Sequence, residues 1–339
     1  MVSTPTNLVF EGGGVLGIAY LGALQYLYQS GILQNVKRVS GTSAGAITAC
    51  MTSFNLPFEE TKELVDTLDY KKIPQDSSYP KLKAISEPAL REFETLFSDV
   101  GCLYRLITKY GWYSSEYFYS WLKKQIASQF DHTKKLPPYS FADFKNSSIH
   151  KEQRPFHDLY VVGTNLSYHS SMIFCYENTP HMEVAQAVRI SMSIPLFFEA
   201  VEYSTDMADT SANIFCDGGV MWNYPINIFD SALFKEDKRP GVNEQTLGLR
   251  FLNRTKYHEI NNFLDFINNL YHSQLRVQQN YFDNSPQDIT RSIQIDAGDV
   301  SFVDFDITVG DGTYLFLYYQ GYQAARNYFN STNNRRIGR

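Results

Sequence analysis

The sequence predicts an α/β fold, a mainly parallel central sheet sandwiched by helices. Two strand-turn-helix units at its start and two apolar runs further on carry that prediction. Asn7–Phe10 (NLVF) reads as a buried first strand, and Ile18–Gln29 as the helix that follows it and ends near Gly31. Val36–Ser40 reads as a second short strand, followed by a helix over Ala46–Phe54. Strands that alternate with helices across short turns pair in parallel and bury both faces. Tyr160–Leu166 and Asn213–Cys216 read as later strands. Between them, about 57–158 is helical in pattern, with polar breaks at Pro74–Pro80 and Lys134–Pro138, and is expected to form helical cap insertions. The expected organisation is a core over 7–230 that includes this insertion, a C-terminal part of the same domain over 231–330, and a polar tail over 331–339.

With 339 residues, 43% of them hydrophobic, the chain can bury a sizeable core. A net charge of −6 predicts no broad basic surface, so nucleic acid is not an expected partner and charge alone would not draw the chain to anionic lipid. Cys50, Cys102, Cys175 and Cys216 lie mostly in apolar runs without a C-x-x-C pair, and are expected as reduced thiols. No N-terminal stretch reads as a signal peptide, and no apolar run approaches the ~18 residues of a membrane span. A cytoplasmic location is therefore expected, with export by a signal-less route, as for an effector, left open.

Three short motifs carry chemistry. Gly12, Gly13, Gly14 and Gly17 form a glycine turn between the first strand and its helix. Their spacing also fits the G-x-G-x-x-G of a dinucleotide site. That reading needs an acid roughly 20 residues after the turn to hold a ribose; Val36-Lys37-Arg38-Val39-Ser40 offers none, although Lys37 and Arg38 could instead meet a ribose phosphate. Gly41-Thr42-Ser43-Ala44-Gly45 fits G-x-S-x-G, in which small neighbours let a serine sit exposed on a tight strand-to-helix turn. The free N–H groups at that helix start favour an anion beside Ser43. Asp217-Gly218-Gly219 turns a strand sharply and leaves a carboxylate at its end, where sites collect in α/β sheets.

An α/β-hydrolase triad is a competing arrangement, with His258 or His272 as base. Only 42 residues precede Ser43, too few for the sheet that normally comes before that elbow, and both histidines sit in polar, surface-like segments. The remaining histidines show no metal-ligand spacing, so neither a metal nor another cofactor is expected.

Nearly the whole chain resembles the patatin-like phospholipase family. The resemblance lies in GGGVLG, GTSAG, the block Ala187–Pro195 and DGGVMWNYP from Asp217 to Pro225; Phe305–Thr308 and Gly321–Ala325 look like the family's closing strand and last helix. It implies a three-layer α/β/α sandwich. It also implies Ser43 as nucleophile, Asp217 as the base of a Ser/Asp dyad, and the Gly12, Gly13 and Gly14 backbone as oxyanion hole, with Gly17, Gly41, Gly45, Gly218 and Gly219 supporting the turns. Asn223 and Pro225 match a small structural cluster after the Asp-Gly-Gly turn. Leu16 departs from the family, which commonly carries Arg or Lys there, and Glu11 is an unexpected charge beside the turn.

The function this implies is a lipid acyl hydrolase of phospholipase A or lysophospholipase type, acting on a phospholipid or other fatty-acyl ester. The resemblance names neither the head group nor a protein activator. A catalytically inactive lipid-binding scaffold would keep the same motifs and fail to react with a fluorophosphonate. The aromatic run Trp112, Tyr113, Tyr117, Phe118, Tyr119 and Trp121 has two readings, ordinary core or a cap over Ser43 that lines an acyl groove or makes peripheral contact with a membrane.

Overall fold

A computed structural model describes residues 4–75, 100–204, 212–235, 238–239, 241–252, 257, 259–261 and 263–337. Its sheet is organised about β1 (Asn7–Phe10), which is buried on both faces and pairs in parallel with β2 (Arg38–Thr42). A near-continuous apolar run is what a parallel strand with both faces covered requires. On the other side of β1 lies β9 (Thr246–Phe251), and beyond it β10 (Ser292–Ile295), both parallel. The chain after residue 230 thus completes the sheet begun at residue 7.

Beyond β2 the sheet continues with β4 (Asp158–Asn165), parallel to it. It then turns antiparallel, through β5 (Ser170–Phe174), β7 (Val201–Tyr203) and β8 (Asn213–Asp217). Two further strands, β3 (Gly111–Tyr113) and β6 (Leu196–Phe198), pair apart from it. Alternation along the strands divides the interior into two cores. Leu8, Phe10, Val39 and Val161 face the larger, while Val9, Tyr160 and Val162 face a smaller one closed by Ile226, Ile228 and Phe229.

The helices are α1 (Ile18–Gln29), α2 (Ala44–Ser53), α3 (Phe58–Asp66), α4 (Val100–Lys109), α5 (Glu116–Ala127), α6 (Phe141–Lys145), α7 (Val184–Ser191), α8 (Gly219–Trp222), α9 (Phe263–Asp283), α10 (Pro286–Thr290) and α11 (Gly312–Ile337). The long α11 packs along α1. The architecture is a three-layer α/β sandwich with a mixed, mostly parallel sheet.

Three sequence expectations shift. The second strand begins at Arg38 rather than Val36, because the Lys37 N–H donates to Thr6 O (2.7 Å) before the ladder starts. The closing strand is Ser292–Ile295, not Phe305–Thr308. In the latter segment Asp304 accepts from the Asp306 N–H and Asp311 from the Thr308 N–H, local bonds that compete with a ladder. The polar tail continues α11 as helix to Ile337. The break at Pro74–Pro80 falls largely outside the described residues. The aromatic run is mainly core: Phe118 is fully buried, Trp121 donates its indole N–H to Thr67 Oγ1 (2.9 Å), and Tyr113 packs on Phe197. No helix among the described residues is long and apolar enough to cross a membrane, and the four cysteines are free and buried.

Candidate active site

Ser43 links β2 to α2 at φ 54°, ψ −125°, a conformation that L side chains rarely adopt. The turn is possible because its neighbours are small. A Cβ on Gly41 would lie 2.1 Å from Gly45 O, and one on Gly45 would lie 2.3 Å from Phe10 O. The strained turn is held from the side: the Ser43 N–H donates to Ser191 Oγ (2.9 Å), which in turn donates to Val162 O (2.6 Å). Ser43 is 5% exposed, and α2 begins at the next residue. Its first N–H groups therefore lie beside the hydroxyl.

Asp217 ends β8 and is completely buried. Its Oδ1 accepts from the Gly219 N–H (2.6 Å) and from the Tyr271 hydroxyl (3.1 Å), whereas Oδ2 has no hydrogen-bond partner among the described residues. Burial pushes its pKa from 3.8 up to about 7, and the nearby Ser43 hydroxyl, the Gly219 N–H and Tyr271 oppose that rise. A carboxylate titrating near neutrality is poised as a general base.

The block Ala187–Pro195 acts as a strut between the two. Ser191 holds Ser43, and Ser193 O accepts from the Asp217 N–H (2.8 Å). Ser193 Oγ donates to Arg189 O (2.7 Å), and Arg189 itself donates to Ser115 Oγ (2.9 Å) on the segment leading into α5. Thr42 adds a second tie by donating to Trp222 O (2.9 Å), so the elbow and the Asp-Gly-Gly turn are fastened directly.

The glycine turn differs in detail from the expected cradle. The Gly12 N–H donates to Asn223 O (3.0 Å) and the Val15 N–H to Phe302 O (2.9 Å). Gly12 therefore leaves the set of free donors, whereas the Gly13 and Gly14 N–H groups have no partner among the described residues. Gly14 sits at φ +52°, and a Cβ there would lie 2.0 Å from Phe302 O. Gly17 packs closely on Ala44, and Gly218 against Val162 O.

Glu11 proves to be a buried anchor. Its Oε2 accepts from the Phe251 N–H (2.8 Å), Oε1 from Asn223 Nδ2 (3.5 Å), and Arg250 lies 3.9 Å away. Burial raises its pKa and the Arg250 charge pulls it back. Asn223, singled out only as structural, also donates to Gly12 O (3.2 Å) and so pins the glycine turn to the Asp-Gly-Gly segment.

Two cavities meet at Ser43, Gly14 and Ile194. One is almost wholly apolar and runs along α2 past Ile47, Thr48 and Met51 toward Leu24, with Phe118 and Phe305 in its wall. The other is more polar and includes Gly12, Gly13, Leu16, Asn223, Tyr271 and His272. Leu16, where a cation was expected, gives this cleft an apolar patch. His272 is exposed and stands against Phe302, while His258 lies outside the described residues. Among the described residues no cluster of His, Cys, Asp and Glu could hold a metal ion.

Sheet order, elbow and buried carboxylate define a patatin-type α/β sandwich. The sequence matches the patatin-like phospholipase family over residues 8–230, and the chain belongs to that family. Among curated relatives, an uncharacterized protein of Acanthamoeba polyphaga mimivirus is 26% identical over 91% of this chain and 89% of its own. YqhO of Bacillus subtilis is 31% identical over 69% of this chain and 68% of its own. A protein named as a probable lipid hydrolase in Invertebrate iridescent virus 6 is 25% identical over 69% and 66%. Among solved structures, VipD from Legionella pneumophila has the same fold at a TM-score of 0.58 and 18% identity, covering 97% of this chain and 67% of VipD. The ExoU–SpcU complex of Pseudomonas aeruginosa aligns at 0.51 and 18% identity, covering 97% and 52%. This chain thus spans about two thirds of the first and half of the second.

Proposed function

We propose that this protein is a lipid acyl hydrolase of phospholipase A or lysophospholipase type, with Ser43 as nucleophile and Asp217 as base. The observation that carries the reading is the apolar cavity that opens at Ser43. An esterase for small polar acids has no use for a cavity lined by Ile18, Leu21, Ile47, Met51 and Val65, whereas a fatty-acyl chain gains roughly 0.8 kcal/mol for each methylene it buries there. The more polar cleft on the other side of Ser43 is then the place for the alcohol portion of the ester.

The chemistry follows from the free atoms. Ser43 Oγ attacks the ester carbonyl while Asp217 Oδ2, the oxygen without a partner among the described residues, takes its proton. The oxyanion is received by the Gly13 and Gly14 N–H groups. Collapse of the tetrahedral species breaks the ester bond, and Asp217 returns the proton to the departing alkoxide. Water then attacks the acyl-enzyme with Asp217 again as base, which releases the fatty acid and restores Ser43.

Ser43→Ala tests this directly. Its expected loss is about a thousandfold or more in ester hydrolysis, with no change in melting temperature and no labelling by an alkyl fluorophosphonate. Hydrolysis retained above a few per cent would remove Ser43 from the mechanism.

A further inference from the structure

Helix α9 lies wholly beyond the residues matched by the family, yet its inward face grips the Asp217 turn. Ile267, Tyr271, Leu275, Gln278 and Phe282 follow at steps of four, four, three and four and so share one side of the helix. From that side Gln278 donates to Gly219 O (2.7 Å) and accepts from the Asn223 N–H (2.8 Å), and Gln274 donates to Val220 O. Tyr271, 7% exposed, donates its hydroxyl to Asp217 Oδ1.

We propose that Tyr271 is a positioning residue for the base: by saturating Oδ1 together with the Gly219 N–H, it directs Oδ2 toward Ser43. The inference rests on the Ser43/Asp217 reading. A carboxyl group can rotate to offer either oxygen, and two donors on Oδ1 remove that freedom. The phenol keeps the proton it donates here, because burial and the neighbouring carboxylate hold its own pKa well above the usual tyrosine range. The bond also favours the charged form of Asp217 against burial.

Tyr271→Phe keeps the ring that packs near Phe302 and removes only the donor. Loss of a hydrogen bond to an ionised carboxylate raises its pKa, so the acid limb of kcat/KM is expected to move to higher pH by about one unit. Activity below the limb then falls about tenfold, whereas at pH 9 much less is lost. Other groups near Asp217 are the Ser43 hydroxyl from α2, Cys216 on its own strand, the Glu11–Arg250 pair behind Asn223, and the exposed His272 in the cleft.

The profile is therefore measured with a short p-nitrophenyl ester for wild type, Tyr271→Phe, His272→Ala and the double variant. The expected result is an acid limb that persists in His272→Ala and shifts whenever Tyr271 is replaced. An unshifted limb in Tyr271→Phe, or a limb that disappears with His272, overturns the inference. If Ser43→Ala is inactive in the same assay, such a result removes only the role of Tyr271; if Ser43→Ala is active, the dyad itself fails.

Discussion

Replacing the proposed base should make the protein more stable as it makes it inactive, and the size of the effect should depend on pH. Asp217 is fully buried, and its pKa rises from 3.8 to about 7. A shift of about 3 units corresponds to about 4 kcal/mol at 1.36 kcal/mol per unit. The sign follows from proton binding: between about pH 4 and 7 the folded state holds a proton that the unfolded state has released, so wild-type stability falls as pH rises through that window. Asp217→Asn removes the ionisation. The amide oxygen can accept from Gly219 and Tyr271 as Oδ1 does now, and the NH2 group can face the Ser43 hydroxyl. The difference in unfolding free energy between variant and wild type should therefore grow in the variant's favour by about 4 kcal/mol from pH 4 to pH 8. Denaturant unfolding of both proteins at four or five pH values measures this, because contributions from all other groups cancel in the difference. Turnover should be lost throughout. A stability difference that stays flat with pH would show that Asp217 is not held in the dry environment on which its role as base depends.

Two further substitutions address the rest of the site. Gly14→Ala places a methyl group 2.0 Å from Phe302 O at a φ of +52°, and should lower kcat/KM by about a hundredfold or more through the oxyanion donor; activity above a tenth of wild type in a folded variant would exclude Gly14 from that role. Ile47→Trp should obstruct the apolar cavity about one helical turn, roughly 5.4 Å, beyond Ser43. Butyryl esters should then be hydrolysed nearly as before while lauroyl and palmitoyl esters lose at least about tenfold, and an equal loss on all chain lengths would argue against an acyl chain in that cavity.

The parts of this site that could be read from the sequence are those whose causes lie within a few consecutive residues. Ser43 stands out because the strained elbow demands small residues on both sides, and Asp217 because a glycine pair must follow a carboxylate at a strand end. Parts held by distant contacts were less visible. Tyr271 meets Asp217 across 54 residues, and the segment FINNLYHSQL shows which helix face is buried without showing what that face touches. The loss of Gly12 from the free donors of the glycine turn depends on Asn223 O, and nothing around Gly12 announces it. Glu11 did leave a signal, a charge placed between a buried strand and a glycine turn, but its partner Arg250 lies on β9, where only the closed sheet brings it near. The closing strand, expected at Phe305–Thr308 from the family resemblance, lies instead at Ser292–Ile295, because the flanking Asp304 and Asp311 accept from local N–H groups of that segment.

Two buried carboxylates, Glu11 and Asp217, lie near Ser43, the proposed nucleophile, and their surroundings separate their roles. Burial raises the pKa of both. Glu11 then meets Arg250, whose guanidinium stacks on Phe282 at 3.7 Å, and both of its oxygens accept hydrogen bonds. Such a group has no free oxygen to offer a proton donor, and the nearby arginine opposes the rise in its pKa. No cation is among the groups that shift Asp217, whose stabilising contacts are a hydroxyl, an amide and a phenol. Its Oδ2 has no hydrogen-bond partner among the described residues. A carboxylate supported by neutral donors alone, with one free oxygen, gives up little when it takes a proton, whereas one paired to arginine would lose its partner's field. Asp217 can therefore act as the base beside Ser43, and Glu11 can fix the glycine turn without competing for the same proton.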